Sequence, residues 1–367
     1  MKVSYSYLTK QFSSPAKFLK KAADVVKTGM FTLGPALEEF EKKFAKLHGV
    51  KHAIGISNGT DALILIMKAL EIGPNDEVIT APNSFIATAG AIALTGAKPV
   101  FVDIQNDYNL NPALIEKAIT KKTKAILPVH LTGNPADMEP ILKIAAKHKL
   151  FVIEDAAQAV NASYKNKPVG SWGNAGAFSL HPLKNLNIWG DGGVVTTNDD
   201  NLNKKIRLWR NHGLKNRDEC EFFAHNARLD TIQAAIGSLL LDEIKNISKI
   251  RRGNAIFYDR SLKNLAPNVL IPPRRPDTQP AFHTYVIQVN DRENLIKFLS
   301  DAGIETKIHY PIPLHLQKAA QYLGYKNGDF PTCEEQSRKI LSLPIHQYLT
   351  KEQLNYVVEK IKSFCKS

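Results

Sequence analysis

Lys184 stands in the stretch Gly176-Ala-Phe-Ser-Leu-His-Pro-Leu-Lys184-Asn-Leu-Asn-Ile-Trp-Gly-Asp-Gly-Gly193. An apolar, hydroxyl-bearing approach (Phe178, Ser179) precedes it, and a glycine cluster (Gly190, Gly192, Gly193) follows. Glycine takes φ > 0 without steric penalty and lets backbone crowd a ligand. Asp155 ends the run Leu150-Phe-Val-Ile-Glu-Asp155, which has the composition of a buried parallel strand. A carboxylate at the C-terminal end of such a strand faces the crevice where open α/β sheets bind ligands. A lysine and an acid in one crevice are what pyridoxal phosphate requires. The amine forms the Schiff base, and the acid pairs with the ring nitrogen to keep the ring an electron sink. Taken singly, the two residues read as readily as a solvated loop lysine and a strand-end cap.

Further pieces fit the same chemistry. In Ser57-Asn-Gly-Thr-Asp-Ala62, the residues Asn58, Gly59 and Thr60 lie at the start of the apolar helix Leu63–Leu70. A Gly/Thr turn opening a helix offers free N–H groups and the positive end of the helix dipole to a phosphate. An ordinary capped helix has the same pattern. The turn is neither a P-loop nor a G-x-G-x-x-G, which argues against a nucleotide triphosphate or a dinucleotide. Phe85 follows a strand and suits either stacking on a flat ring or a place in the core. Gln158, three residues past Asp155, faces the same ligand if a helical turn begins there. No Ser-His-Asp order or metal spacing gathers His130, His181 and His309, so no metal is expected.

The elements that must position these groups are legible as an alternation. Short apolar or β-branched runs (77–80, 99–103, 125–130, 150–155, 194–197) are separated by helical stretches, which predicts an α/β fold with a mostly parallel central sheet. Two amphipathic helices precede them, the second opened by Gly34-Pro35 and ended by Gly49. A long helical stretch runs from Arg228 to Leu262, with Asn246 and Ser248 as an expected break. Strands at 284–289 and 306–309 and helices at 292–302 and 351–364 follow, giving a smaller α+β C-terminal domain. With 367 residues the chain exceeds the ~250–300 at which single cores stop growing. We divide it into a large domain over 1–245 and a small one over 246–367.

The formal charge of +13 comes without a basic stripe interleaved with aromatics, so nucleic-acid binding is not expected. A positive field suits an anionic small ligand. No apolar run approaches the ~18 residues of a membrane helix, and Met1-Lys-Val-Ser-Tyr lacks the apolar core of a signal peptide. Cys220, Cys333 and Cys365 are too scattered for a disulfide framework or a zinc site. A cytoplasmic protein with no membrane partner is expected.

Motifs along nearly the whole chain resemble the sugar aminotransferases of the DegT/DnrJ/EryC1/StrS family. They include Gly34-Pro35 with Phe40-Glu41, Ser57 to Leu63, Pro128-Val-His-Leu131 and Glu154-Asp-Ala-Ala-Gln158. The series continues with Ser179 to Leu186, Gly190-Asp-Gly-Gly193, Arg210-Asn-His-Gly213, Arg228-Leu-Asp230 and His309-Tyr-Pro-Ile-Pro-Leu-His315. The resemblance implies the fold of type I pyridoxal-phosphate transferases, the aspartate aminotransferase-like fold. It implies that Lys184 is the Schiff-base lysine, Asp155 the partner of the pyridinium nitrogen and Gln158 the neighbour of the phenolic oxygen. Asn58, Gly59, Thr60 and Ser179 match phosphate-holding positions, and Phe85 matches the aromatic on the ring. Asn226 matches an asparagine that reaches the neighbouring subunit's cofactor, which implies a homodimer with shared active sites. His309 and Tyr310 border the sugar site.

The sequence departs from the family at Thr132 and Asn134, where many relatives carry Tyr and Gln, and at Leu180, where an aromatic is usual. These positions bear on the substrate. Relatives that dehydrate sugars replace the Schiff-base lysine with histidine, so Lys184 favours transamination. The expected reaction moves an amino group from L-glutamate or L-glutamine to a ketone on a sugar, sugar nucleotide or keto-sugar acid, for cell-surface polysaccharide or secondary-metabolite amino sugars. A pyridoxal-phosphate sugar dehydratase or lyase, or a non-catalytic regulator of the same fold, is the alternative.

Overall fold

The structure is a computed structural model and describes residues 1–366. Helices α1 (Leu8–Gln11), α2 (Ala16–Thr28) and α3 (Pro35–His48) lead into a run of strands and helices. In order these are β1 (His52–Ile56), α4 (Gly59–Ala69), β2 (Glu77–Thr80), α5 (Ile86–Leu94) and β3 (Lys98–Phe101). Then come α6 (Pro112–Ala118), β4 (Thr123–Leu127), α7 (Met138–His148) and β5 (Phe151–Asp155). The short strands β6 (Ser163–Tyr164) and β7 (Lys167–Pro168) precede β8 (Ala175–Ser179), β9 (Gly193–Thr197) and α8 (Asp200–Trp209).

Seven strands form one sheet in the order β1-β9-β8-β5-β4-β2-β3. The pairs from β8 through β3 are parallel, while β9 is antiparallel to both β8 and β1. All strands but β9 therefore point the same way, and their C-terminal ends share one edge. Successive residues of each strand feed opposite faces. Ala125 and Leu127 of β4 join the core beneath α4, while Ile126 joins the core under α7. Val195 and Val194 of β9 split the same way between the cores of α4 and α3.

Helix α9 (Thr231–Leu262) runs without interruption for 32 residues. The expected break at Asn246 and Ser248 does not exist: Ser248 is fully buried within the helix. Ala234, Ile236 and Ile244 belong to the core against α3, whereas Ala255, Tyr258 and Leu262 belong to a separate core farther along the chain. That second core is built on the antiparallel strands β10 (Val269–Leu270), β12 (Tyr285–Val289) and β13 (Ile340–Leu343). Strand β11 (Thr278–Gln279) instead pairs with β6. Helices α10 (Arg292–Asp301), α11 (Pro331–Lys339) and α12 (Lys351–Phe364) complete the chain. The expected strand at 306–309 reduces to a single bridge from Lys307 to Ser342 of β13. Val3 joins this core too, bridging to Ile304. Among the described residues no helix is long and apolar enough to cross a membrane.

Candidate active site

The shared C-terminal edge collects the turns after β1, β2, β4, β5 and β8, and a cavity of about 660 Å³ opens there. Asp155 is buried at the end of β5. Its backbone is fixed by bonds from its N–H to the Pro128 carbonyl and from the His130 N–H to its own carbonyl. Oδ2 accepts from Thr88 Oγ1 at 2.7 Å, and Oδ1 accepts from the Ala157 N–H at 3.2 Å. Burial raises its carboxyl above the ordinary range, against the pull of the Thr88 and Ala157 donors and of the Lys184 charge. A cation at the cavity face of Asp155 would relieve that cost.

Its neighbour Glu154 points the other way and is spent on structure. It accepts from the N–H groups of Gly170, Trp172 and Gly173 at 2.6, 2.7 and 2.8 Å, and from His130 Nε2 at 3.0 Å. Burial opposes its ionisation, but these donors hold it below the usual carboxylate range. His130 Nδ1 accepts from the Ala136 N–H at 2.9 Å, so its proton sits on Nε2. The alternation of the strand thus sends one acid to the scaffold and the next to the cavity.

Lys184 is carried by a loop pinned at several points. Asn185 Nδ2 donates to the Ala281 carbonyl at 2.8 Å. Asn187 and Gln11 exchange reciprocal amide bonds at 2.8 and 2.9 Å. The Tyr7 hydroxyl donates to the Lys184 carbonyl at 2.8 Å. Burial lowers the Lys184 amine to about 8, opposed by Asp155. Near neutral pH a usable fraction of the amine is therefore unprotonated, the form that attacks an aldehyde.

Opposite, α4 opens with the N–H groups of Gly59 and Thr60, which have no intrahelical partner at a helix start. Asn58 caps the helix by accepting from the Asp61 N–H at 2.8 Å. A Cβ on Gly59 would lie 2.9 Å from Ser179 Cβ, so the helix start and the end of β8 close on each other at that point. Gly193 is equally constrained, since a Cβ there would stand 2.4 Å from the Asn58 carbonyl oxygen. The glycine cluster thus lets the protein's own turns approach one another, and only Gly190 in it has a positive φ.

Phe85 lines the cavity half-exposed, its ring centroid 5.6 Å from that of Tyr310. Gln158 sits in a tight turn rather than a helix. Its Oε1 accepts from the Thr132 N–H at 2.7 Å, and its Nε2 donates to the Tyr310 hydroxyl at 3.3 Å. His309 Nδ1 lies 2.9 Å from Ser342 Oγ, and burial lowers its imidazole to about 4. Asn58, Gly59, Thr60, Phe85, Asp155, Gln158, Ser179, Lys184, His309 and Tyr310 all line this one cavity. Asn226 does not line it: this residue is exposed, on a segment that pairs with Asn211. Sequence reasoning missed Thr88, Tyr5, Tyr7, Arg251, His283 and His346, which line it too or, for Tyr7, support Lys184 directly. Among the described residues no cluster of His, Cys, Asp and Glu is arranged to hold a metal.

A buried acid awaiting a cation, a lysine amine of lowered basicity and an open helix N-terminus fit pyridoxal phosphate at its ring nitrogen, aldehyde and phosphate. Together with the seven-stranded sheet they define a pyridoxal-phosphate transferase of fold type I. The chain belongs to the DegT/DnrJ/EryC1/StrS aminotransferase family, whose model matches residues 13–362. It is 43% identical over 367 residues to the pleiotropic regulatory protein of Geobacillus stearothermophilus, covering 99% of each chain. It is 39% identical over 343 residues to the dTDP-3-amino-3,4,6-trideoxy-alpha-D-glucose transaminase of Streptomyces venezuelae, covering 93% of this chain and 90% of that one. The crystal structure of S. venezuelae DesV in complex with a ketimine intermediate superposes with a TM-score of 0.97 at 38% identity, covering 100% of this chain and 99% of DesV. The protein is a sugar aminotransferase, and its cofactor is pyridoxal 5′-phosphate.

Proposed function

We propose that the protein moves the amino group of L-glutamate or L-glutamine to a ketone on a sugar, sugar nucleotide or keto-sugar acid in amino-sugar biosynthesis. The observation that carries the reading is that Lys184 and Asp155 line one cavity, where the charge of each acts on the other. When bound, the cofactor supplies an electron sink next to the reacting carbon and carries the amino group between the two substrates. Lys184 holds the cofactor between turnovers and, once released, takes the proton from the donor's α-carbon through Nζ. Asp155 holds the proton on the ring nitrogen, and Thr88 orients Asp155. Gly59, Thr60 and Ser179 would hold the phosphate, with Asn58 capping the turn, and Phe85 and Gln158 would hold the ring. His309 and Tyr310 border the sugar.

On this reading the working unit is a cytoplasmic homodimer in which Asn226 completes the partner's phosphate site. Its exposure in the single chain accords with that role. The chain divides into a large domain over 1–245 and a small one over 246–367, joined through α9.

The regulatory name of the Geobacillus relative raises a silent-homologue reading. Lys184, Asp155 and the open helix start speak against it, since a silent module has no use for all three. Absorbance of the cofactor-loaded protein, recorded before and after adding L-glutamate or L-glutamine, is the test. Conversion of the aldehyde form to the amine form supports the transfer. A loaded protein whose spectrum ignores both donors while it consumes a keto sugar would be a dehydratase or lyase.

A further inference from the structure

Among the described residues the Lys184 carbonyl accepts one hydrogen bond, the 2.8 Å bond from the Tyr7 hydroxyl. Residues 181–192 around it form no helix or strand, and the Lys184 N–H only closes a turn on the His181 carbonyl at 2.8 Å. A main-chain carbonyl in a loop needs such a donor from outside the loop. Tyr7 is 4% exposed, and burial holds its hydroxyl above the usual tyrosine range, so the proton stays in place to be donated. Its ring is fixed by His346 and Tyr348, with centroids 5.4 and 6.0 Å away.

Tyr7 reaches the loop from a segment fastened elsewhere. Val3 is fully buried in the core of β10, β12 and β13. Its N–H donates to the Gly303 carbonyl at 2.9 Å, and its carbonyl accepts from the Glu305 N–H at 3.0 Å. The Lys2 carbonyl accepts from Gln353 Nε2 of α12, and the Ser4 carbonyl from His346 Nε2, each at 3.0 Å. The Tyr5 N–H donates to Glu305 Oε2 at 2.9 Å. At the far end Gln11 exchanges its two amide bonds with Asn187 of the Lys184 loop. Four residues separate Val3 from Tyr7, and an extended chain spans at most ~14 Å over that length. The segment has little slack. It also crosses the cavity wall, where Tyr5 and Tyr7 stand beside Lys184, His309 and His346.

We propose that Tyr7 is a positioning residue for Lys184, acting as the taut end of an N-terminal strap anchored in the core of β10, β12 and β13. A shift of that core against the seven-stranded sheet is then felt at the loop that carries the reacting amine. The proposal rests on the role given to Lys184 above.

The test begins with Tyr7→Phe, which keeps the ring and removes the donor. The cofactor-loaded enzyme is mixed with L-glutamate or L-glutamine and followed through one turnover by cofactor absorbance. The limiting rate is expected to fall about tenfold, the scale of one lost hydrogen bond, with the half-saturating donor concentration unchanged. A merely structural defect would lower the fraction of protein holding cofactor and leave the rate at loaded sites alone. Glu305 is exposed, so Glu305→Ala loosens the strap at Tyr5 without touching the core or the cavity. It is expected to slow the same step about threefold and to add nothing to Tyr7→Phe, since both act through one bond. An unchanged limiting rate in Tyr7→Phe, or an effect confined to half-saturation, would overturn the positioning role. Full additivity of the two substitutions would overturn the strap. If Tyr7→Phe holds no cofactor, Glu305→Ala carries the test, and an unchanged rate there overturns the proposal. A wild type that answers neither donor would sink the aminotransferase reading instead. The variants are then compared by the rate at which the cofactor-free chain takes up pyridoxal phosphate, where the same slowing is expected and an unchanged rate overturns the proposal.

Discussion

The Thr88 hydroxyl donates to Oδ2 of Asp155 at 2.7 Å and itself meets Ser84 Oγ at 2.7 Å, so the acid of the site is held by a short hydroxyl relay from the start of α5. Thr88→Val keeps the shape and removes the donor. An unpartnered buried carboxylate oxygen costs about 1–3 kcal/mol. Cofactor affinity is expected to fall about 10- to 100-fold on that scale, by equilibrium titration, while the fold is kept. Asp155→Asn should do more harm, since it removes the charge rather than its support. Wild-type affinity in Thr88→Val would show that Asp155 is positioned by its backbone alone.

Much of this site was legible in sequence because its groups sit where regular elements end. Asp155 closes an apolar strand, Asn58 and Gly59 open an apolar helix, and Ser179 and Lys184 bracket a loop with glycines behind it. Thr88, Tyr7 and Arg251 were illegible for a physical reason. Thr88 and Arg251 lie inside helices, and Tyr7 is brought to Lys184 across 177 positions of chain, so no local pattern marks them. Likewise β13 escaped notice because its four residues are buried on both faces and follow a helix without a turn signal. The break expected at Asn246 and Ser248 rested on local propensity, which burial of Ser248 and Ile247 overrides.

The lowered basicity of Lys184 predicts a pH profile. Its amine falls from the ordinary 10.5 to about 8 in the cofactor-free fold. Below that value the protonated, unreactive form dominates, and the neutral fraction rises about tenfold per pH unit. Stopped-flow cofactor uptake should therefore quicken about tenfold per unit between roughly pH 6 and 8 and level off above. Linkage gives the matching sign for stability. Between about pH 8 and 10.5 the unfolded chain holds a proton that folded Lys184 lacks, so this group's contribution rises with pH through that window. A rate still climbing at pH 10 would show an ordinary lysine.

Gly59 separates a packing role from a merely permissive one. A Cβ there would press on Ser179 Cβ at 2.9 Å, where both residues line the cavity. Gly59→Ala is expected to cost about 1–3 kcal/mol in stability by overpacking and to weaken cofactor binding, since the helix start must shift. Gly253, exposed on α9, has nothing within 4 Å of its Cβ position. Gly253→Ala should raise stability by about 0.5–1 kcal/mol through helix propensity and leave the cofactor untouched. Thermal melts and cofactor titrations on the pair distinguish the two. Equal behaviour would mean that the turn at Gly59 yields freely.

Asn226 tests whether one chain completes the site of another. Its side chain is exposed, and its Oδ1 accepts only a long bond of 3.4 Å from the Arg228 N–H, so truncation should leave its own chain's fold intact. If the residue serves the neighbouring subunit, Asn226→Ala weakens cofactor binding by roughly 1 kcal/mol, the worth of one hydrogen bond. Subunit mixing makes the test decisive. Chains carrying Lys184→Ala and chains carrying both Asn226→Ala and Gly59→Ala are each impaired in their own homodimers. A mixed dimer pairs the intact Lys184 of the second chain with the intact Asn226 of the first, and pairs the two defective copies at the other site. Asn226→Ala alone mixed with Lys184→Ala should thus regain, at the one sound site, the wild-type cofactor affinity that neither parent shows. With Gly59→Ala added to the Asn226→Ala chain, that recovery should vanish, because Gly59 acts within the chain that supplies Lys184. No recovery in the first mixture would show that Asn226 does not cross between subunits, and recovery that survives the added Gly59 substitution would show that Gly59 is not needed in the chain that supplies Lys184.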